Sequence, residues 1–228
     1  MAVEIFTKRL GINYVYIIKG EGCIMVDVGP SFAFSAVKDW INSLPISPSD
    51  IDLVVVTHSH FDHAGAVAEV KDLTGAKIII HYTEQDHLRT GNSSLPTPAT
   101  AWGRISLGLM KPVDRIFEYP GVEPDLIIGD EGLALDDFGI PGKIIHTPGH
   151  TDGSLSVLLE DGTAFVGCMT HNAPPFRLSH KHPIFADDLD QLWRSWKLLL
   201  DQGAKLIYPG HGKPFPVSDI VAKLRVEL

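Results

Sequence analysis

One loop constrains this chain more than any other feature of its sequence. The loop places His58, His60, Asp62 and His63 within six consecutive residues. An apolar, β-branched run at residues 53–56 precedes it, and such a run favours a buried strand. Imidazoles two residues apart leave an extended backbone on the same side, so the first two histidines can converge on one cation. The next two ligand-type side chains fall where helix-forming residues begin, so the loop can serve two adjacent metal ions.

Further candidate ligands recur later in the chain, each where a strand is predicted to end. His150 and His211 each follow a Pro-Gly pair, and Cys168 follows the apolar run at residues 164–166. A polar loop with accidental histidines is the alternative interpretation of residues 57–65, and this recurrence argues against it. Because the loop lies beyond a strand, we expect replacement of its histidines to delete ligands rather than core volume.

These motifs resemble the signature of a known family. The His-x-His-x-Asp-His loop is similar to that of the metallo-β-lactamase superfamily, and the later motifs repeat the family's pattern in order over roughly residues 12–215. The resemblance implies an α/β fold, a four-layer αβ/βα sandwich with two facing mixed β-sheets inside and helices outside. It does not name a substrate. The superfamily hydrolyses lactams, thioesters, lactones, phosphodiesters and sulfate esters, and some members carry out redox chemistry.

The resemblance also implies a role for each candidate ligand. Seven side chains would bind two divalent metal ions, with His58, His60 and His150 on the first and Asp62, His63, Cys168 and His211 on the second. A metal-bound hydroxide would be the nucleophile. Asp62 is the predicted catalytic residue, because it would orient this nucleophile and pass a proton to the leaving group. Asp27 resembles the family's buried aspartate beneath the metals, and a turn-capping aspartate is its alternative.

Cys168 is the point where this chain departs from most of the superfamily. Hydrolases of the glyoxalase II or lactonase type have a bridging aspartate here, whereas the zinc β-lactamases of the best-known subclass have a cysteine. A thiolate is a soft ligand that favours zinc, so two Zn²⁺ ions are predicted, with iron as the alternative metal. A buried cysteine that binds no metal is the other interpretation. His171, close behind it, could reach the site as a substrate contact or as support for a ligand.

Length and composition limit the function classes. The 228 residues are 44% hydrophobic, and the candidate ligands spread from His58 to His211, so we predict one domain over residues 1–228. A net charge of −9 argues against a nucleic-acid partner. No apolar run approaches about 18 residues, so no membrane span is expected. The start lacks the pattern of a secretory signal, and we predict a cytoplasmic protein without a disulfide. A small-molecule substrate is expected, and a homo-oligomer is compatible with the sequence.

Periodicity and turn residues predict the following elements: strands at 3–10, 12–19, 23–28, 125–135 and 143–146, a hairpin at 155–166, and helices at 32–44, 188–202 and 217–226. Ser31 is predicted to cap the helix at 32–44. Residues 90–121 are rich in glycine and proline and are predicted to overhang the metals and shape an apolar substrate pocket. A helix on the core or an oligomer interface is the alternative. His81 is predicted to be structural, and His180 and His182 to lie on the surface.

The leading functional interpretation is a zinc-dependent hydrolase acting on a small ester, thioester or lactone. β-Lactam hydrolysis is disfavoured by the missing secretory signal. Glutathione-thioester specificity is disfavoured because no helical domain follows His211. The alternatives are an iron-dependent redox member of the same superfamily, such as a dioxygenase, and a non-catalytic binding protein on the same fold.

Overall fold

Two β-sheets face each other and carry helices on their outer sides. The computed structural model describes residues 3–93, 95–110, 117–173 and 183–221. Its strands are β1 Glu4–Leu10, β2 Asn13–Lys19, β3 Cys23–Val26, β4 Leu53–Val55, β5 Lys77–His81, β6 Leu126–Ile128, β7 Leu133–Ala134, β8 Gly142–His146, β9 Leu155–Leu159, β10 Thr163–Phe165, β11 His171–Asn172, β12 Leu206–Tyr208, β13 His211–Gly212 and β14 Phe215–Pro216.

The strand order shows how each sheet delivers candidate ligands to one edge. In the first sheet the order is β11-β13-β2-β3-β4-β5-β6, and β1 pairs with β2 outside this order. The run from β3 to β6 is parallel, so the carboxyl ends of these strands lie at the same edge. In the second sheet the order is β14-β12-β10-β9-β8-β7. Loops that follow β4, β8 and β10 therefore meet at one end of the sandwich.

The helices cover the outer faces of both sheets. They are α1 Phe34–Ser43, α2 Phe61–Ala64, α3 Val67–Thr74, α4 Gln85–Thr90, α5 Ala101–Met110 and α6 Leu189–Asp201. Val37 of α1 and Val67 of α3 pack with Met25 and Val54 on the outside of the first sheet. On the second sheet, an apolar stripe of α6 that includes Trp196 provides the equivalent cover. Among the described helices, none has the length and apolar character needed to cross a bilayer.

A third apolar layer lies between the sheets, which completes the predicted four-layer sandwich. Ile24, Leu53, Val157 and Phe165 belong to this layer. Along β3, Cys23 and Met25 belong to the outer layer, whereas Ile24 and Val26 belong to the inner one. A strand buried on both faces needs apolar residues at every position, which explains the unbroken apolar runs in the sequence.

Some element predictions are wrong in detail. The predicted strand at 125–135 is two strands, β6 and β7, which belong to different sheets and are separated by a turn with Gly132 at a φ of 70°. Ser31 does not cap a helix. It lies in a 3-10 turn before α1, and its hydroxyl donates to the Gly65 carbonyl. The loosely patterned segment at 90–121 contains the ten-residue helix α5.

Two further predictions fall wholly or largely outside the described residues. His180 and His182 lie outside them. Of the helix predicted at 217–226, only the first turn, from residue 218, is described.

Candidate metal centre

The His-x-His loop crosses from the carboxyl end of β4 to α2. His58 and His60 are both buried, and α2 starts directly after His60. The backbone N–H groups of His63 and Ala64 each donate to the His60 carbonyl, at 2.9 Å. This turn of helix brings Asp62 and His63 round towards the same end of the sandwich as the two earlier histidines.

Three imidazole nitrogens form a first group of donors. Nε2 of His150 lies 3.2 Å from Nε2 of His58 and 3.1 Å from Nδ1 of His60. Nδ1 of His150 lies 2.9 Å from the carbonyl oxygen of Phe185. A carbonyl only accepts hydrogen bonds, so this Nδ1 carries the proton in the neutral ring. The lone pair of His150 is then on Nε2 and points at the other two rings.

The second group combines a carboxylate, a thiol and two imidazoles. Oδ2 of Asp62 lies 3.3 Å from Nε2 of His211 and 3.7 Å from Nε2 of His63. The two imidazole nitrogens are 3.3 Å apart, and Sγ of Cys168 is 3.1 Å from Nε2 of His63. Sγ of Cys168 also lies within 4.8 Å of the donor nitrogens of His58 and His150. The sulfur therefore stands between the two groups.

These distances fit bound divalent ions. Zinc with nitrogen or oxygen ligands at about 2.0–2.1 Å in tetrahedral geometry separates its ligands by about 3.3 Å. The donor separations in both groups are close to this value. Buried lone pairs aimed at one another repel unless a proton or a cation lies between them. All seven side chains predicted from the sequence are thus brought together, as two adjacent donor groups that suit two cations.

Charges within the second group also suit a cation. Burial acts to raise the pKa of the Asp62 carboxyl, but His63 and His211 outweigh it and hold that pKa well below its usual range. Burial likewise acts to raise the pKa of the Cys168 thiol, and His63, His211 and His150 bring it well below its usual value. Both shifts favour the ionised form, which is the form in which these groups bind metal ions.

Asp27 supports one histidine from each group. It is buried, and its Oδ2 accepts from Nδ1 of His63 at 2.7 Å. The same carboxylate accepts from the Thr57 N–H at 2.8 Å and from the Thr57 hydroxyl at 2.9 Å. The hydroxyl oxygen then faces Nδ1 of His58 at 3.0 Å, where it accepts the ring proton. These contacts place the ring proton of each neutral imidazole on Nδ1, so Nε2 of His63 and, through Thr57, Nε2 of His58 are the atoms that would bind a metal ion.

The backbone of Asp27 is unusual as well. Among the described residues, Asp27 is the non-glycine residue with a positive φ, at 56°. Aspartate and asparagine tolerate this region better than other side chains, at a cost of about 1–3 kcal/mol. The position therefore holds the buried aspartate expected from the family resemblance, and the turn-capping alternative does not describe its contacts.

Asp27→Asn is expected to weaken metal binding while keeping the fold. Asparagine tolerates the positive φ, but its NH₂ group faces a proton on His63 or Thr57 and cannot accept it. Loss of the hydrogen-bond acceptor behind a metal-binding histidine typically lowers metal affinity or activity 10–100-fold. Chelator-competition titration of both metal ions measures the change. Thr57→Val should weaken the ion bound by His58, and Thr57→Ser, which keeps the hydroxyl, is the matched control. Unchanged affinity in Asp27→Asn would contradict this role.

Glu84 ties together the two loops that carry the first group. It is buried, and it accepts from the Ser59 N–H at 3.0 Å and from the Ser59 hydroxyl. The side chain of Thr151, the residue after His150, acts with Ser59 to lower the pKa of this carboxyl. Ser59 lies between the two histidines of the loop, and its carbonyl accepts from the Tyr119 hydroxyl at 2.8 Å. One buried carboxylate thus fixes both loops, and sequence analysis missed it.

Asn13 and Phe185 are two other contacts that sequence analysis missed. The Asn13 amide donates to the backbone oxygen of Asp62 at 2.9 Å and to its Oδ2 at 3.0 Å. Phe185 acts through its backbone, since its carbonyl holds the His150 ring. Its strand segment also pairs with Pro98, so the region before α5 is coupled to a predicted ligand. Their only signal in the sequence is position, at the start of β2 for Asn13 and shortly before α6 for Phe185.

Two glycines allow the ligand loops to pack closely. Gly149 has a φ of 130°, and a Cβ atom there would lie 2.4 Å from the backbone nitrogen of Leu192 in α6. A Cβ atom on Gly210 would lie 2.5 Å from Cε1 of His63. Both Pro-Gly-His motifs therefore need glycine because a neighbouring element or ligand occupies the space that a side chain would take.

His171 joins the site from the neighbouring strand β11. Its ring centroid lies 4.7 Å from that of His211, and burial lowers the pKa of the ring while the neighbouring Cys168 acts to raise it. The ring is buried and lines the cavity above the donor groups. The structure thus brings His171 to the site, next to the second group.

A third cluster of His81, Asp130 and His146 lies outside the two donor groups. Oδ1 of Asp130 is 3.2 Å from Nε2 of His81 and 3.2 Å from Nδ1 of His146. The two rings are stacked, with centroids 4.1 Å apart and planes inclined by 10°. An imidazole binds a metal in its own plane, and two stacked parallel planes share no such position. The cluster is therefore better described as a hydrogen-bonded contact between the sheets, which agrees with the structural role predicted for His81.

Comparisons with known proteins agree with this arrangement. The sequence model that describes the metallo-beta-lactamase superfamily matches residues 7–211 of this chain. A probable metallo-hydrolase of Methanocaldococcus jannaschii, MJ0888, is 28% identical over 208 residues, which cover 87% of this chain and 86% of the relative. A hydroxyacylglutathione hydrolase of a Shewanella species is 24% identical over 191 residues, which cover 82% of this chain and 57% of that enzyme.

A solved structure shows the same fold. The archaeal superfamily protein ST1585 of Sulfolobus tokodaii superposes with a TM-score of 0.66 at 20% sequence identity, over 99% of this chain and 86% of that protein. The family match spans all seven clustered side chains, and the structural likeness covers both sheets. The chain belongs to the metallo-β-lactamase superfamily.

Proposed function

We propose that the protein is a metal-dependent hydrolase that binds two zinc ions and cleaves a carboxyl ester, thioester or lactone. One observation carries the proposal: the two donor groups share Cys168 and form the floor of an open cavity of about 700 Å³. Cavities of about 300–1,000 Å³ are typical of small-molecule sites. A substrate in this cavity would reach both groups at once.

The donor set favours zinc over iron. Two divalent ions supply Lewis acidity here, polarising a carbonyl oxygen and lowering the pKa of water to about 7. Cys168 is a soft ligand, and the five histidines of the set are borderline ligands, a combination that suits zinc. Relatives named as probable metallo-hydrolases and a relative named as a hydroxyacylglutathione hydrolase support hydrolysis over redox chemistry.

Asp62 is the residue placed to move a proton. Its carboxylate is 22% exposed to the cavity, so it can accept a hydrogen bond from a water molecule there and pass the proton of that water to the leaving group. Asn13 holds Oδ2 and keeps the carboxylate in one orientation. His171 lies beside the second group and can contact a substrate oxygen or sulfur. Asp27, Glu84 and the Phe185 carbonyl keep the histidines in place during turnover.

A panel of chromogenic substrates tests this proposal. Protein purified without added metal is first analysed for zinc and iron, then loaded with zinc. It is assayed on an aryl ester, a thioester, a lactone, a phosphodiester and a β-lactam. We expect zinc to predominate and turnover on one or more of the three carboxyl substrates. Iron in the purified protein with oxygen consumption would favour the dioxygenase-like alternative. Bound zinc without turnover of any substrate would favour the non-catalytic alternative.

A further inference from the structure

The cavity above the donor groups has apolar walls. Its floor contains the metal-binding side chains, and its walls include Leu10, Ile12, Phe32, Phe117, Ile184 and Phe185. Leu10 ends β1, Ile12 lies in the turn that follows it, and Phe32 lies in the 3-10 turn before α1. The other three lie in the segments that precede β6 and α6. Phe117 packs edge-on against Phe61, with ring centroids 5.3 Å apart, so this wall is a fixed aromatic surface.

Few charged side chains line the described part of the cavity. Within the described lining, Asp62 is the one carboxylate, and Lys8 and Arg9 are the cationic side chains other than histidine. Arg9 donates to the Gly11 carbonyl at 2.7 Å and stays at the rim. Where the wall is apolar it offers no hydrogen-bond partner, so a charged or hydroxylated acyl group lying there would lose its hydration without compensation.

Two of the apolar wall residues are largely exposed. Phe32 is 85% exposed and Ile12 is 44% exposed, and both lie on the lining of this cavity. Apolar surface of this kind around a concave site gains free energy when an apolar ligand covers it. Burial of one methylene group contributes about 0.8 kcal/mol, which corresponds to about a fourfold change in binding.

We propose that the natural substrate is an ester or thioester of an apolar acyl chain, and that this chain lies between the β1–β2 turn and Phe117. This inference rests on the hydrolase function proposed above. The reaction adds one water. The bond from the acyl carbon to the leaving oxygen or sulfur breaks, a bond to the water oxygen forms, and Asp62 passes the displaced proton to the leaving group. The products are a fatty carboxylic acid and an alcohol or thiol.

A homologous series of p-nitrophenyl esters, from acetyl through butanoyl, hexanoyl and octanoyl to decanoyl, tests the inference on zinc-loaded protein. We expect kcat/KM to rise by up to about fourfold per methylene and to level off when the cavity is full. Ala36→Phe on the exposed face of α1 adds bulk to the lining and should shift the optimum to a shorter chain. Phe32→Ala should flatten the dependence on chain length. Leu198→Ala, on the exposed side of α6, is the control and should reproduce the wild-type series.

Calorimetry supplies a readout that does not need turnover. Octanoate should bind with a negative heat-capacity change, the sign of apolar burial, and acetate should bind at least tenfold more weakly. Absence of turnover on every ester, with octanoate bound, would overturn the hydrolase proposal and keep the apolar site. Turnover with a flat or falling dependence on chain length, unaffected by Ala36→Phe and Phe32→Ala, would overturn the acyl-chain inference and keep the hydrolase proposal.

Discussion

Replacing His58 and His60 together by alanine is expected to remove the first metal ion and to lower hydrolysis by a factor on the order of 10⁴ or more. The two side chains supply two of the three donors in the first group, and His150 alone cannot hold the ion. Metal analysis by mass spectrometry should then find about one zinc per chain where the wild type binds two. Retention of two zinc ions with wild-type turnover would contradict the assignment.

The fold should survive this double replacement with reduced stability. Both imidazoles are buried, so their replacement by alanine also removes buried side-chain volume. The expectation that it would delete only ligands is wrong for these residues. We expect a loss of about 1–3 kcal/mol, the usual range for a change of this kind. His87→Ala is the matched control, because His87 lies on α4 and belongs to neither donor group. Its Nδ1 forms a hydrogen bond of 2.8 Å with the Asn92 carbonyl oxygen. Thermal unfolding of both variants separates lost ligands from a lost fold.

Cys168→Ser is expected to have the second large effect, a selective loss of affinity for the second metal ion. Structural zinc sites contribute about 10–16 kcal/mol from four ligands, or about 2.5–4 kcal/mol per ligand, which corresponds to a loss on the order of 10²–10³-fold. A serine hydroxyl is neutral at pH 7 and is a much weaker donor than a thiolate. The ion bound by His58, His60 and His150 should be retained.

Cys168→Asp is the informative companion variant. A carboxylate restores the negative charge, and Sγ of Cys168 already stands between the two donor groups, where a bridging oxygen can reach both. We therefore expect weaker loss of zinc than in Cys168→Ser and partial recovery of turnover. Titration with a chromophoric chelator gives both affinities. If serine and aspartate variants bind the second zinc as tightly as the wild type, Cys168 is a buried cysteine and not a ligand.

The candidate ligands could be predicted because their signals are local. Four of them lie within one short loop, and each of the other three follows a short strand by two to four residues, after a Pro-Gly pair in the case of His150 and His211. Both faces of β3 and β4 are buried, so the strands that carry the site are also the most apolar stretches. The candidate ligands and the buried strands that position them are therefore recognised in the same parts of the sequence.

The supporting contacts could not be predicted, because they join residues far apart in the chain. Glu84 reaches Ser59 across 25 positions, Asn13 reaches Asp62 across 49, and Phe185 reaches His150 across 35. In the sequence, Glu84 looks like a surface residue next to a short helix, and only the packing of α4 against the ligand loop buries it. The helix α5 could not be predicted within residues 90–121 for a different reason. Its large apolar residues Trp102 and Ile105 are exposed, so the sequence does not show the periodic pattern of a helix with one buried face.

Cobalt substitution tests the central claim, a two-metal centre with a thiolate ligand, most directly. Metal-free protein is titrated with Co²⁺ while its near-ultraviolet and visible absorption is followed. We predict saturation at two equivalents per chain, and a sulfur-to-cobalt charge-transfer band that is present in the wild type and absent in Cys168→Ser. Saturation at two equivalents without that band would remove Cys168 from the centre. Saturation below one equivalent would contradict the two-metal centre itself.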